Sequence, residues 1–279
     1  MLRFRDISIV LISTIAAAMV LKAFVLDAVV IPSSSMEKTL LPGDFILVNK
    51  LNYEKISLHG GNNVQAVLPF LPSLIKKSVQ PGDVIVFNFP AASRKTILNE
   101  NDLLVKRCIA KSGDVVQIHK GKLLVNDSRV AFLPFQRDGE EKYSSHEFFP
   151  PSSNYTFHEY GPVRVPKKGD IIHLTKESFA EWKNFIRAEG HSVSESSTGN
   201  FFIDGKQQLF YIVEKNYLFT LGDNYYHSYD SRFWGFLPEE NVVGKAAFVY
   251  WSLDSRRDGK EASDLFKSVR WDRIGTLIR

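Results

Sequence analysis

Leu41-Pro42-Gly43-Asp44-Phe45-Ile46-Leu47-Val48-Asn49 (41–49) is the stretch that decides the fold. Proline presets φ for a turn, the glycine after it can take the positive φ of a type II turn, and the apolar and β-branched run beyond Asp44 has strand composition. The Gly-Asp turn leading into such a run returns at QPGDVIVFN (80–88), KSGDVVQIH (111–119) and KKGDIIHLT (167–175). The spacing between these glycines is irregular, so turn chemistry is reused and no solenoid is implied. Further strands are expected at 103–110, 122–126, 209–213, 217–221 and 242–251, with hairpin turns at Lys120-Gly121 and Asp204-Gly205.

One helix interrupts this pattern at 176–189, where Phe179, Trp182, Phe185 and Ile186 recur at helical spacing between a capping Thr175 and a closing Gly190. It lies in a polar, loop-rich stretch, 128–200, that reads as an insertion. The expected architecture is mainly β. Residues 29–127 and 201–279 form the two parts of an antiparallel β domain, 128–200 a smaller inserted α/β subdomain, and 1–28 a cytoplasmic tip and one transmembrane helix.

The N-terminus carries the anchor reading. Ile7 to Leu21 holds no charge, and apolar character resumes after Lys22 through Leu26. A helix over 7–26 would be about 30 Å long, the thickness of a bilayer core. Arg3 and Arg5 flank its near end, which by the positive-inside rule puts the N-terminus in the cytoplasm and the rest of the chain outside. A cleaved signal peptide, with Ala16-Ala17-Ala18 as small residues, and a buried core helix are the alternatives. Apolar sequence continues past the alanines, which favours a retained anchor.

Composition narrows the chemistry. Among 279 residues, 35 Lys and Arg against 31 Asp and Glu leave a net charge of +4, too little for a nucleic-acid field. Cys108 is the only cysteine, which excludes an intrachain disulfide and a cysteine-based zinc site. The histidines form no HExxH, and the His-Glu pairs at 146–147 and 158–159 lie in loop-like sequence, so no metal or cofactor is implied.

Three clusters are unlike strand filler: IPSSSMEKTL (31–40), LLVKRCIAKSGD (103–114) and LGDNYYHSYDSRFWGF (221–236). There is no G-x-S-x-G elbow and no histidine evidently placed for a Ser-His-Asp triad. Lys106 is the odd residue, because alternation in an apolar strand can turn it inward. At an ordinary lysine pKa roughly one molecule in two thousand is neutral at pH 7, and burial that lowers it by two or three units makes a usable general base. Taken singly, each cluster has a plainer reading: a solvated serine loop, an edge-strand Lys106-Arg107 facing water, and a surface Asp230–Arg232 pair.

Together the clusters resemble the conserved boxes of bacterial type I signal peptidases, membrane-anchored serine proteases that cut signal peptides from exported proteins. The pattern P-S-x-S-M-x-x-T-L is matched by Pro32 to Leu40, and R-G-D-[IV]-[IV]-[VF]-F resembles Pro81 to Phe87. The lysine box K-R-x-x-G-x-P-G-D resembles Lys106 to Asp114, and G-D-N-x-x-x-S-x-D-S-R-x-W-G is matched from Gly222 to Gly235. The boxes come in the family's order, over 20–127 and 201–255.

The resemblance implies Ser35 as nucleophile and Lys106 as general base, with the Ser33 hydroxyl and the Ser35 backbone N–H as oxyanion donors. Ser228 would orient the lysine, and Asp230 and Arg232 would form a supporting ion pair. An extended signal peptide would pair between Ile31–Ser33 and Leu103–Val105, with Ile31, Pro32, Leu104 and Val105 as substrate-binding residues and Ile31 and Val105 lining pockets for small side chains at Ala-x-Ala sites. Implied partners are signal peptides of exported preproteins and the lipid bilayer, without nucleic acid or cofactor, for a monomer in the bacterial cytoplasmic membrane with its catalytic part periplasmic. Ala110 and Ser112 replace the family's usual Gly and Pro, and Lys38 stands where proline is common, which is expected to loosen the Ser35 loop. Cys108 reads as core packing, His227 as a loop residue turned from Ser228, and VLPFLPSLI (67–75) as either a packed loop or a segment dipping into the outer leaflet. A catalytically silent peptide-capturing module and a Ser-Lys protease with one dedicated substrate are the competing readings.

Overall fold

The computed structural model describes residues 7–15, 26–50, 78–90, 102–130, 141–143, 146–151, 153–254 and 266–279. The first element, helix α1 (7–15), bares apolar side chains on all sides, with Ile9 61% and Ile12 66% exposed. Among the described residues no helix is long and apolar enough to cross a membrane. The remainder of the expected anchor, 16–25, and the apolar stretch 67–75 lie outside the described residues. The reading over 1–28 does run three residues too far. Leu26, Asp27 and Ala28 open a strand, with the Asp27 carboxylate 2.9 Å from the buried Lys50 amine.

The chain divides into two compact units. The first takes in Met1–Pro32, Pro42–Ser78 and Val243–Arg279. Its centre is β2 (Asp44–Asn49), flanked antiparallel by β1 (Leu26–Val30) and by the last strand, β16 (Val242–Ser252). The alternation read from 41–49 is real, since Ile46 and Val48 are fully buried while Phe45 and Leu47 are partly exposed. Gly43, at φ +87, is required, because a Cβ there would lie 2.0 Å from the Leu253 carbonyl oxygen. Asp44 is fully buried, and its carboxylate accepts from Ser252 Oγ at 2.7 Å and from Arg273 Nη2 at 2.5 Å, which offsets the cost of removing its charge from water.

The second unit takes in Ser33–Leu41 and Val79–Val242. It contains β3 (Val84–Asn88), β4 (Leu103–Lys111), β5 (Val115–His119), β6 (Lys122–Val125), β7 (Ser128–Arg129), β8 (Tyr160–Arg164) and β9 (Ile171–His173). After α2 (Lys176–Ala188) come β10 (Val193–Glu195), β11 (Phe201–Ile203), β12 (Lys206–Gln207), β13 (Phe210–Ile212) and β14 (Tyr217–Leu221), then α3 (Ser231–Trp234) and β15 (Leu237–Pro238). All described pairings are antiparallel: β3-β4-β14-β15 forms one sheet, β7-β6-β5-β8 a second, and β10-β11-β12 and β9-β13 are ribbons. Helix α2 starts where the sequence places it, with Thr175 Oγ1 accepting from Ser178 N in a capping box. Buried Glu189 ties its end down, accepting from Tyr217 Oη at 2.8 Å and Lys215 N at 3.0 Å.

One apolar cluster runs through the second unit, joining Ile109, Phe219 and Phe233 to Phe148, Phe157, Phe179 and Ile186. Two of the expected strands are shorter than their composition suggests. KSGDVVQIH forms a strand only from Val115, because Lys111 already ends β4 and Ser112–Asp114 make the turn, and KKGDIIHLT contributes only Ile171–His173.

Candidate active site

Strand β4 is the spine of the site. It lies between β3 and β14, with Ile85 opposite Lys106 and both Val84 and Leu221 opposite Arg107. Every residue from Val105 to Ala110 is buried, so Lys106 at 4% exposure and Arg107 at 3% both lie inside. The plain reading of an edge pair facing water is therefore excluded, and so is that of a surface Asp230–Arg232 pair, since both those residues are fully buried.

Facing β4 is the loop that begins at Ser33. A 3-10 turn, Ser34–Met36, presents Ser35, and the Lys106 Nζ donates to Ser35 Oγ at 2.6 Å. The amine also donates to the Val105 carbonyl at 3.2 Å. Ser33 Oγ is 3.3 Å from Ser35 Oγ, so two hydroxyls and an amine converge. Burial pushes the Lys106 amine down to about 8, against the opposing pull of Asp230 and Asp223, while Arg232 adds to the lowering. A lysine so placed is neutral often enough near neutral pH to take a proton from a serine.

Three networks hold this pair, and the largest was not foreseen in the sequence. Arg107 donates to both oxygens of the buried Asp223, from Nε at 2.8 Å and Nη2 at 2.6 Å, and its Nη1 donates to the Gly82 carbonyl at 2.8 Å. Thr39 Oγ1 donates to the same carboxylate at 2.5 Å, so one ion pair links residues of all three sequence clusters. Each partner sits inside a quoted box, but nothing in its spacing shows that it pairs with the others. Next, Asn224 grips the serine loop, donating from its backbone N to Ser35 O at 3.0 Å and from Nδ2 to Ser34 O at 3.1 Å. Finally, Arg232 holds Asp230 through Nε and Nη2, both at 2.8 Å, and Asp230 Oδ2 accepts the Gly222 N–H at 3.1 Å.

Gly222 sits where no side chain fits. A Cβ there would lie 2.2 Å from Ser228 Oγ and 2.4 Å from the Ser35 carbonyl oxygen. Gly222→Ala must displace one or the other, and a misplacement of that size is expected to cost about a hundredfold in turnover. Steady-state kinetics on the purified variant check this, and a loss under threefold would show that the loop gives way cheaply. Ser228 itself is fully buried beside Gly222, but its hydroxyl has no hydrogen-bond partner among the described residues, so the expected bond to Lys106 is not present.

The turn after Ser35 corrects the reading of Lys38. Thr39 N donates to Met36 O at 3.0 Å, Glu37 has φ −55 and ψ 133, and Lys38 has φ +106, which together describe a type II turn. Proline, locked near φ −65, cannot occupy position 38 of that turn, so the lysine does not loosen a proline-shaped loop. Ser112 is likewise not a defect, since its Oγ accepts from Tyr217 N at 2.7 Å and donates to Tyr217 O at 3.0 Å, tying β4 to β14. Leu104 and Val105 lie on β4 just before Lys106, whereas Ile31 and Pro32 belong to the first unit. Cys108 is fully buried, with burial pushing its thiol up, and packs as core. His227 ends the 3-10 turn Tyr225–His227 and is partly exposed. The described residues hold no cluster of His, Cys, Asp and Glu fit for a metal ion.

A mainly β scaffold that seats a serine hydroxyl against a buried amine has the parts of a serine hydrolase. The family model described as signal peptidase, peptidase S26, matches residues 4–251, and the chain belongs to that family of serine peptidases. The signal peptidase I of Aquifex aeolicus (strain VF5) is 30% identical over 248 residues, covering 85% of this chain and 80% of the relative. That of Haemophilus influenzae (strain ATCC 51907 / DSM 11121 / KW20 / Rd) is 29% identical over 290 residues, covering 96% and 74%. A crystal structure of a signal peptidase I from Enterococcus faecalis V583 aligns with 61% of this chain and 97% of its own at 20% identity and a TM-score of 0.27, too loose a match to argue from.

Proposed function

We propose that this chain is a membrane-anchored endopeptidase that removes N-terminal signal peptides from exported preproteins after Ala-x-Ala-like sites, with Ser35 as nucleophile and Lys106 as general base. The observation that carries the reading is the 2.6 Å contact between Lys106 Nζ and Ser35 Oγ in a buried setting. In its neutral form the amine accepts the serine proton as the hydroxyl oxygen attacks the scissile carbonyl. The Ser33 hydroxyl and the Ser35 backbone N–H meet the oxyanion, and the lysine then passes its proton to the departing amine. Relieved of that proton, it activates the water that cleaves the acyl-serine. Ser228, packed on Gly222 in the same buried loop, keeps the orienting role in this reading although its hydroxyl makes no bond to the lysine in this structure. Leu104 and Val105, immediately before Lys106, supply one edge to which an extended signal peptide can pair.

The anchor belongs to the same reading. Helix α1 exposes Ile7, Val10, Leu11 and Ile15 to at least 51%, a surface suited to lipid, and Arg3 and Arg5 before it place the N-terminus in the cytoplasm. The enzyme is then a single-pass monomer of the bacterial cytoplasmic membrane, its catalytic part on the outer side and 128–200 an insertion within it. Cleavage of a purified preprotein bearing an Ala-x-Ala site, by wild type, Ser35→Ala and Lys106→Ala in detergent, tests the whole. Cutting after the last alanine by wild type alone is the expected result. Binding without cutting by wild type would favour a silent capturing module, and cutting by Ser35→Ala would remove Ser35 as nucleophile.

A further inference from the structure

We propose that Phe157, remote from the reacting atoms and in a stretch without any of the quoted motifs, is a positioning residue for the reaction at Ser35, acting through the Arg232 guanidinium that its ring covers. The proposal rests on the reading of Ser35 and Lys106 as the reacting pair. Phe157 is 2% exposed, and its ring centroid lies 5.0 Å from the Arg232 guanidinium carbon. The Tyr225 ring lies 4.0 Å from that carbon and the Phe233 ring 5.7 Å, so the fully buried cation sits among three aromatic rings. Removed from water, such a cation leans on the negative faces of those rings and on its carboxylate partner.

From Arg232 the contacts run to the site without a break. Arg232 holds both Asp230 oxygens at 2.8 Å, and Asp230 holds the Gly222 N–H. Gly222 in turn leaves no room between Ser228 Oγ and the Ser35 carbonyl, and Asn224, two residues on, holds that carbonyl. Phe157 is itself bonded to this loop rather than merely laid on it. Tyr225 Oη donates to the Phe157 carbonyl, Phe149 N donates to the Arg232 carbonyl at 2.6 Å, and Lys142 N to the Tyr226 carbonyl at 3.2 Å. Lys142, Phe149 and Phe157 thereby brace the back of the loop that aligns the serine. The charged groups acting on Lys106 are Asp230, Asp223 and Arg232, and two of these three form the ion pair whose guanidinium the Phe157 ring covers.

The test is Phe157→Leu, which keeps most of the apolar bulk and removes the ring face, with Phe157→Met as the milder variant should leucine not fold. Phe179→Leu is the control: Phe179 is 6% exposed in the same core but packs on Phe201, at 4.6 Å between ring centres. With a preprotein substrate, the Phe157 variant is expected to lose roughly tenfold in kcat with KM within about twofold. The acid limb of its kcat–pH profile moves to higher pH, because water beside Arg232 and Asp230 eases the burial that holds the Lys106 amine down. Phe179→Leu, with a similar fall in melting temperature, leaves kcat and the limb where they are. A Phe157 variant with wild-type kcat and limb overturns the proposal, as does a Phe179 variant that shifts both equally. Failure of wild type to cut, or cutting by Ser35→Ala, overturns the underlying reading and this proposal with it, and is seen without any Phe157 variant.

Discussion

Lys106→Met is expected to lose all measurable turnover, a fall of about ten-thousandfold or more, while melting at a higher temperature than wild type at pH 7. The two effects have one cause. The Lys106 amine is fully enclosed, and burial holds it at about 8 where an ordinary lysine has 10.5. The folded state therefore binds fewer protons than the unfolded state between those values, and stability rises with pH across that window. Below pH 8 the full penalty of the buried charge is present. Methionine removes it at nearly constant volume, and after the lost bond to Ser35 the gain is on the order of 1–2 kcal/mol, or several degrees. Thermal melts at pH 6, 7, 9 and 10 check this: the advantage of the variant should shrink above pH 8 and be gone near 10.5. For wild type, kcat climbs about tenfold per pH unit below 8 and levels above it. A variant less stable than wild type at pH 7 would show that the amine is not strained by burial.

Asp223→Ala is expected to cost about 3–5 kcal/mol, the largest loss of stability from a single change in this site. Arg107 lies at 3% exposure with two bonds to that carboxylate, and alanine removes both while the bonds to the Gly82 carbonyl and Thr39 Oγ1 leave its charge enclosed without that counter-ion. Pairing the change with Arg107→Met should recover more than half of the loss, because an apolar pair of similar volume removes the stranded charge. Urea unfolding of the two single variants and the double variant gives the coupling directly. A cost below 1 kcal/mol for Asp223→Ala would mean that water reaches the arginine. Activity should fall in the double variant even where stability returns, since Thr39 loses the carboxylate that fixes its end of the serine loop.

What the sequence by itself determined is whatever local chemistry controls. Glycines at positive φ before β-branched runs produced the turns at Gly43, Gly82 and Gly113 and the strands that follow them. Thr175 and Gly190 bound α2 because capping is a matter of a few neighbouring residues. The boxes named Ser33, Ser35, Lys106, Ser228, Asp230 and Arg232, and the fold brings the Ser33 hydroxyl and the Lys106 amine each within bonding distance of Ser35 Oγ. Which side of β4 is inside was beyond local reading. With six consecutive residues buried, alternation carries no information, and only pairing with β3 and β14 encloses Lys106 and Arg107 together. The Arg107–Asp223–Thr39 link joins residues 68 to 184 positions apart, and the turn at Lys38 takes a backbone conformation that its residue type disfavours. Such choices are made by packing and by the high cost of an unpaired buried charge, energies that exist only once distant segments meet.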